Sequence, residues 1–157
     1  MTTFLNEIGP CGVLSLTVLF WICIWSGLNV HVSRMSGWHA LARRFRSKGR
    51  FDGKCWRWQE VPMCGYNYMW TAVGANTQGL YLAMPRFFRL GHPNLFIPWS
   101  ETSIHTSYER WMGYTWHYMD VWIPDVPSMV RFEKKLARRI TNEAFPGITF
   151  HGNFNEE

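Results

Sequence analysis

Residues 11–30 read CGVLSLTVLFWICIWSGLNV, an uncharged apolar run between Glu7 and Arg34. As an α-helix rising about 1.5 Å per residue, such a run covers about 30 Å, the thickness of a bilayer's hydrocarbon core. It predicts a transmembrane helix, with residues 1–32 forming an N-terminal tail and span. The preceding MTTFLNEIGP lacks Lys and Arg, and the apolar run is too long for a signal peptide. The competing reading is a helix buried in a soluble core. Charge on the two flanks predicts the orientation. Glu7 stands before the run, whereas Arg34, Arg43, Arg44, Arg46, Lys48, Arg50, Lys54 and Arg57 follow it, opposed by Asp52 alone. Positive residues near a span are retained in the cytoplasm, so a single-pass protein of the cell inner membrane is expected, N-terminus outside and C-terminal domain cytoplasmic.

The rest of the 157 residues suffices for one compact domain. With 47% hydrophobic residues, including 10 Trp, 11 Phe and 6 Tyr, the chain has the composition of a folded protein, not a disordered one. Sixteen Lys and Arg against 11 Asp and Glu give a net charge of +5, which suits an anionic membrane surface or a nucleic acid. The densest basic run directly follows the apolar segment, so lipid phosphate is the simpler partner and no nucleic acid is expected. Cys11, Cys23, Cys55 and Cys64 form no C-x-x-C pair, and they are read as structural thiols.

Over residues 33–50 the pattern becomes helical: Trp38, Leu41 and Phe45 recur on one side, with arginines around the remainder. This predicts a basic amphipathic helix in the headgroup layer, with Ser36 as its N-cap and Gly49 as its stop. Arg43, Arg44, Arg46, Lys48 and Arg50 are its candidate lipid-binding residues. A helix packed on the following domain is the competing reading.

From residue 51 the period shortens. In YNYMWTAV, alternation puts Tyr66, Tyr68, Trp70 and Ala72 on one face and Asn67, Met69, Thr71 and Val73 on the other. In YTWHYMDVW it groups Tyr114, Trp116, Tyr118 and Trp122. Further candidate strands span 54–61, 79–84, 95–99 and 102–108, separated by Gly, Pro and Asn breakers. After Pro124-Asp125-Val126-Pro127, a stripe of Met129, Phe132, Leu136 and Ile140 predicts a closing helix ended by Pro146. The expected class is therefore α+β: a transmembrane helix, an amphipathic helix, then a small antiparallel β-barrel or sandwich of about seven strands with a C-terminal helix, over 51–157.

That order, together with Gly79-Leu80-Tyr81-Leu82, Arg89, Gly91-His92-Pro93, Leu95 and Ile97-Pro98-Trp99-Ser100, resembles the pleckstrin-homology-like domains of small uncharacterised bacterial single-span membrane proteins. The likeness covers roughly residues 54–145. It implies a curved antiparallel sheet plugged by its C-terminal helix, and a binding module without catalytic residues.

Catalytic signatures are not evident. His31, His39, His92, His105, His117 and His151 include no helical zinc pair, and no phosphate-binding or dinucleotide glycine motif occurs. Glu101 and His105 lack a nucleophile set in an elbow. His31 and His39, near the span's end, are candidates for a pigment or haem ligand, although a helix dipole equally favours histidine there. No cofactor and no enzymatic activity are expected. The tryptophan supply exceeds what one small core needs, which nominates Trp21, Trp25, Trp38, Trp56, Trp58, Trp111, Trp116 and Trp122 as partner contacts. The function these features imply is that of a non-catalytic accessory subunit of a larger membrane complex, such as a photosynthetic or respiratory one. A free-standing membrane-anchored lipid or peptide sensor is the alternative.

Overall fold

The computed structural model describes residues 2–124, 126 and 128–146, with side chains from Cys11 onward. Residues 147–157 of the expected domain, and Asp125 and Pro127 of its last breaker, lie outside the described residues. Helix α1 runs over Thr2–Met35. Its stretch Cys11–Met35 has a mean hydropathy of 2.0, and its most apolar window is 0% buried. The buried-core reading therefore fails, because leucine, isoleucine and tryptophan side chains point outward around the whole helix. A helix apolar on all sides and unburied by its own chain is long and apolar enough to cross a membrane.

The chain turns at Gly37 (φ 81°) into α2, Trp38–Phe45. The expected helix over 33–49 is thus corrected at both ends, since α1 absorbs residues 33–35 and the chain becomes extended at Arg46. There Arg46 pairs with Leu95, and the Ser47 N–H donates to the Asn94 carbonyl at 2.8 Å. The position of α2 is corrected too. Trp38, Leu41, Ala42 and Phe45 are buried in the domain core, so the apolar face is occupied and is not available to the headgroup layer.

Seven antiparallel strands follow: β1 Lys54–Met63, β2 Tyr66–Ala75, β3 Gly79–Ala83, β4 Leu95–Pro98, β5 Ser103–Trp111, β6 Tyr114–Ile123 and β7 Ser128–Glu133. Their order is β4-β3-β2-β1-β7-β6-β5. The sheet curls into a half-barrel whose outermost strands β4 and β5 are separate edges, so the expected small antiparallel barrel or sandwich takes the form of one open, curled sheet. Its two meanders meet at a single registered pair, Met63 with Val130. Inside the curl, Val61, Leu80, Ile97, Val121, Val130 and Phe132 meet α2 and the terminal helix α3, Lys134–Ala144, which contributes Leu136 and Ile140.

Two sequence readings fail here for identifiable reasons. Residues 128–133 form β7, not the start of the helix: Ser128, Val130 and Phe132 are buried while Met129, Arg131 and Glu133 turn away, a period of two. The spacing of Phe132, Leu136 and Ile140 imitates a helical stripe across the strand–helix boundary. In β2, Trp70 does not share the face of Tyr68. Bulges set Arg57-Trp58 of β1 against Ala72, and Met69-Trp70 of β2 against Glu60. Each extra residue shifts the facing by one, so Tyr68, Thr71, Val73 and Ala75 point inward and Trp70 outward.

Candidate functional site

The junction of α1 with the sheet is built from a turn of α1, the first residues of α2, the middle of β2 and the loop from β3 to β4. Gly91 (φ 86°) lets this loop lie against α1: a Cβ there would stand 3.1 Å from the Val30 Cα and 3.3 Å from the Asn29 carbonyl oxygen. The Ser33 hydroxyl donates to the Gly91 carbonyl. The Trp25 ring lies 5.5 Å from that of Phe88, which lies 5.8 Å from that of Trp70.

Beneath this contact Ser36, Tyr68 and His92 form a buried polar chain. His92 Nδ1 lies 3.0 Å from the Phe88 carbonyl, and its Nε2 lies 3.1 Å from the Tyr68 hydroxyl. A carbonyl only accepts, so Nδ1 carries the proton and Nε2 accepts from Tyr68. The Tyr68 oxygen also bonds Ser36. Burial pushes the Tyr68 phenol up to about 12 and lowers the His92 imidazole, whose hydrogen bond to Phe88 partly opposes that effect. The Trp38 indole donates to the Pro93 carbonyl at 3.0 Å and packs its ring 5.3 Å from that of His92. Neutral, buried and mutually bonded, these groups tie the end of α1 to the sheet.

Trp38, expected as a partner contact, is 0% exposed. It is corrected to a core residue. Trp56 is partly buried against the same core. Trp21, Trp25, Trp58, Trp111, Trp116 and Trp122 are exposed, with Trp58 at 71% and Trp111 at 70%. Of the basic cluster, Arg43, Arg46, Lys48 and Arg50 are exposed, while Arg44 is ion-paired with Glu101 and lies over the Phe45 ring. Arg44, Arg46 and Arg50 line a groove of about 440 Å³ with Phe51, Asn76 and Gln78. His31 and His39 are both exposed, and no group of three or more His, Cys, Asp and Glu is placed to hold a metal among the described residues.

A group of exposed aromatic side chains, Tyr108, Trp111, Tyr114 and Trp116, lies on the β5–β6 hairpin. Pairing of β6 with β7 begins at Tyr118 opposite Glu133, whereas β5 and β6 pair on through Tyr108–His117 to Trp111–Tyr114. The outer part is therefore a two-stranded ribbon beyond the sheet. Its turn is Met112-Gly113, with φ 48° and 86°, the left-handed pair that suits a two-residue hairpin. Trp111, Tyr114 and Trp116 share one exposed face, and Tyr108 lies on the other. At the ribbon's base, the Arg131 Nε donates to Asp120 at 2.8 Å and the Ser107 hydroxyl to Asp120 at 2.7 Å. The Asp120 hydrogen bond holds the Arg131 guanidinium above its ordinary range.

Sequence reasoning nominated Trp111 and Trp116 and grouped Tyr114 with Trp116 on one strand face, but it did not count Tyr114 or the turn residue Met112 among the contacts; aromatic alternation continued through the turn was the available signal. It also missed the Ser36–Tyr68–His92 chain, which links residues distant in sequence. No protein family, curated protein or solved structure matches the chain.

Proposed function

We propose that this chain is a non-catalytic accessory subunit of a larger integral membrane assembly, such as a respiratory or photosynthetic complex. In this reading α1 crosses the inner membrane with its N-terminus outside, and the half-barrel docks on partner subunits and anionic lipid at the cytoplasmic face. The observation that carries it is the ribbon. Each large aromatic side chain buries about 150–250 Å² when covered, so Trp111, Tyr114 and Trp116 together offer several hundred square ångströms, the range of a functional apolar patch. Tryptophan and tyrosine on a pre-formed turn anchor interfaces at small entropic cost. The meander order and the plugging helix α3 support the pleckstrin-homology-like resemblance and, with it, a binding role.

The test is to replace Trp111, Tyr114 and Trp116 together with Ser. The variant is expected to remain in the membrane fraction while losing its co-purifying subunits in mild detergent. Unchanged co-purification contradicts the docking role of this face. The outer edge of β5, unpaired among the described residues, favours a second reading, a sensor that adds an extended segment as a further strand. A chain that purifies alone and binds such a segment supports it.

A further inference from the structure

On the outer face of β1–β3 lies a cleft of about 350 Å³ lined by Arg57, Arg86, Arg89, Trp58, Trp70 and Tyr81 among others. No carboxylate occurs among its described lining residues. The Arg89 Nε is held by the Met84 carbonyl at 3.2 Å, which leaves the two terminal nitrogens of its guanidinium for another acceptor. Beside it, an apolar groove of about 320 Å³ runs between α1 and β2, lined by Trp25, Leu28, Val32, Met69 and Phe88. Trp70 and Met84 line both cavities.

The level of these cavities follows from contacts with α1. Phe88 touches Trp25 and Gly91 lies against Val30, the last turns of the apolar run. On the reading that α1 spans the bilayer, on which this inference rests, the loop sits where hydrocarbon gives way to phosphate. Its side chains fit that level: Phe87 is 83% exposed and Leu90 54%, interleaved with Arg86 and Arg89. Trp58 and Trp70 border the cleft with φ of 60° and 63°, a left-handed backbone that bulky residues rarely adopt and that clusters at ligand sites.

We infer that this face holds one anionic phospholipid of the adjoining leaflet, its phosphate among Arg57, Arg86 and Arg89 and an acyl chain along the α1–β2 groove. Guanidinium forks match phosphate oxygens, and the apolar groove beside them takes what a soluble phosphate lacks. The site is separate from the basic run at residues 43–50.

Full-length protein extracted in mild detergent and examined by native mass spectrometry should carry one phosphatidylglycerol per chain in preference to a zwitterionic lipid. Changing Arg57, Arg86 and Arg89 together to Gln should lower that occupancy at least about tenfold, whereas changing Arg43, Arg46, Lys48 and Arg50 to Gln should leave it. Retention by the first variant, or equal loss by the second, overturns the assignment. Millimolar inorganic phosphate should not displace the lipid; displacement reassigns the cleft to a soluble phosphate and overturns the lipid. On the unaltered chain, phosphatidylglycerol with a photoactivatable acyl tail should label Met69, Trp70 or Phe88. Labelling confined to other segments contradicts the groove. Release of the protein from membranes by alkaline carbonate overturns the span itself, independently of the lipid site.

Discussion

Trp38 and Trp111 are the same residue type with opposite surroundings, and local sequence does not distinguish them. Trp38 is fully buried with its indole bonded to Pro93, while Trp111 is 70% exposed on a hairpin. Trp38→Ala should destabilise the domain by about 3–5 kcal/mol, and Trp111→Ala should change stability by no more than about 0.5 kcal/mol; denaturant melts of both variants check the contrast. His92 gives a pH dependence at the same scale. Its folded pKa lies below the unfolded value of 6.5 because burial penalises the charged ring. Between the two values the unfolded chain binds more protons, so its contribution is complete above 6.5 and is lost as pH falls through the folded pKa. His92→Gln should flatten this part of the stability profile measured by thermal melts. An unchanged slope shows that other groups produce it. The importance of His92 was hidden in sequence, because its partners Tyr68 and Ser36 meet it only through the fold.

At the scale of elements, six of the seven strands were legible because alternation and breakers are local properties of the chain. The seventh was not, since Phe132 in β7 stands four residues before Leu136 in α3 and the core accepts both. Periodicity cannot separate a strand feeding directly into a helix when the buried residues keep one spacing. The inward set of β2 was likewise misread beyond Met69, because a bulge depends on the partner strand's register and leaves no mark in the alternation itself. The bulge residues allow a prediction. Trp58 is exposed yet held at φ 60°, a conformation that costs a non-glycine residue about 1 kcal/mol or more. Trp58→Gly should therefore raise stability by about 1 kcal/mol in urea unfolding. A loss of that size instead assigns Trp58 a structural role that outweighs its strain.

For the whole molecule, the apolar run and the α+β order were readable because one follows from composition and the other from successive periods. The open curl was not, as closure depends on whether β4 and β5 pair, and the chain instead lays Arg46 and Ser47 on the edge of β4. The same basic segment that suggested a surface helix is thus pinned to the sheet, while Tyr108, Trp111, Tyr114 and Trp116 stand exposed on the β5–β6 ribbon. On the proposed reading, in which α1 spans the bilayer, the latch of buried polar groups and the protruding aromatic turn suit a subunit held at fixed height against neighbours in the membrane. Native sizing of the full-length chain, extracted from its own membranes in mild detergent, tests that claim most directly. A stoichiometric assembly larger than the chain with its detergent belt is the expected result; a monodisperse monomer under conditions that keep other membrane complexes intact would contradict it.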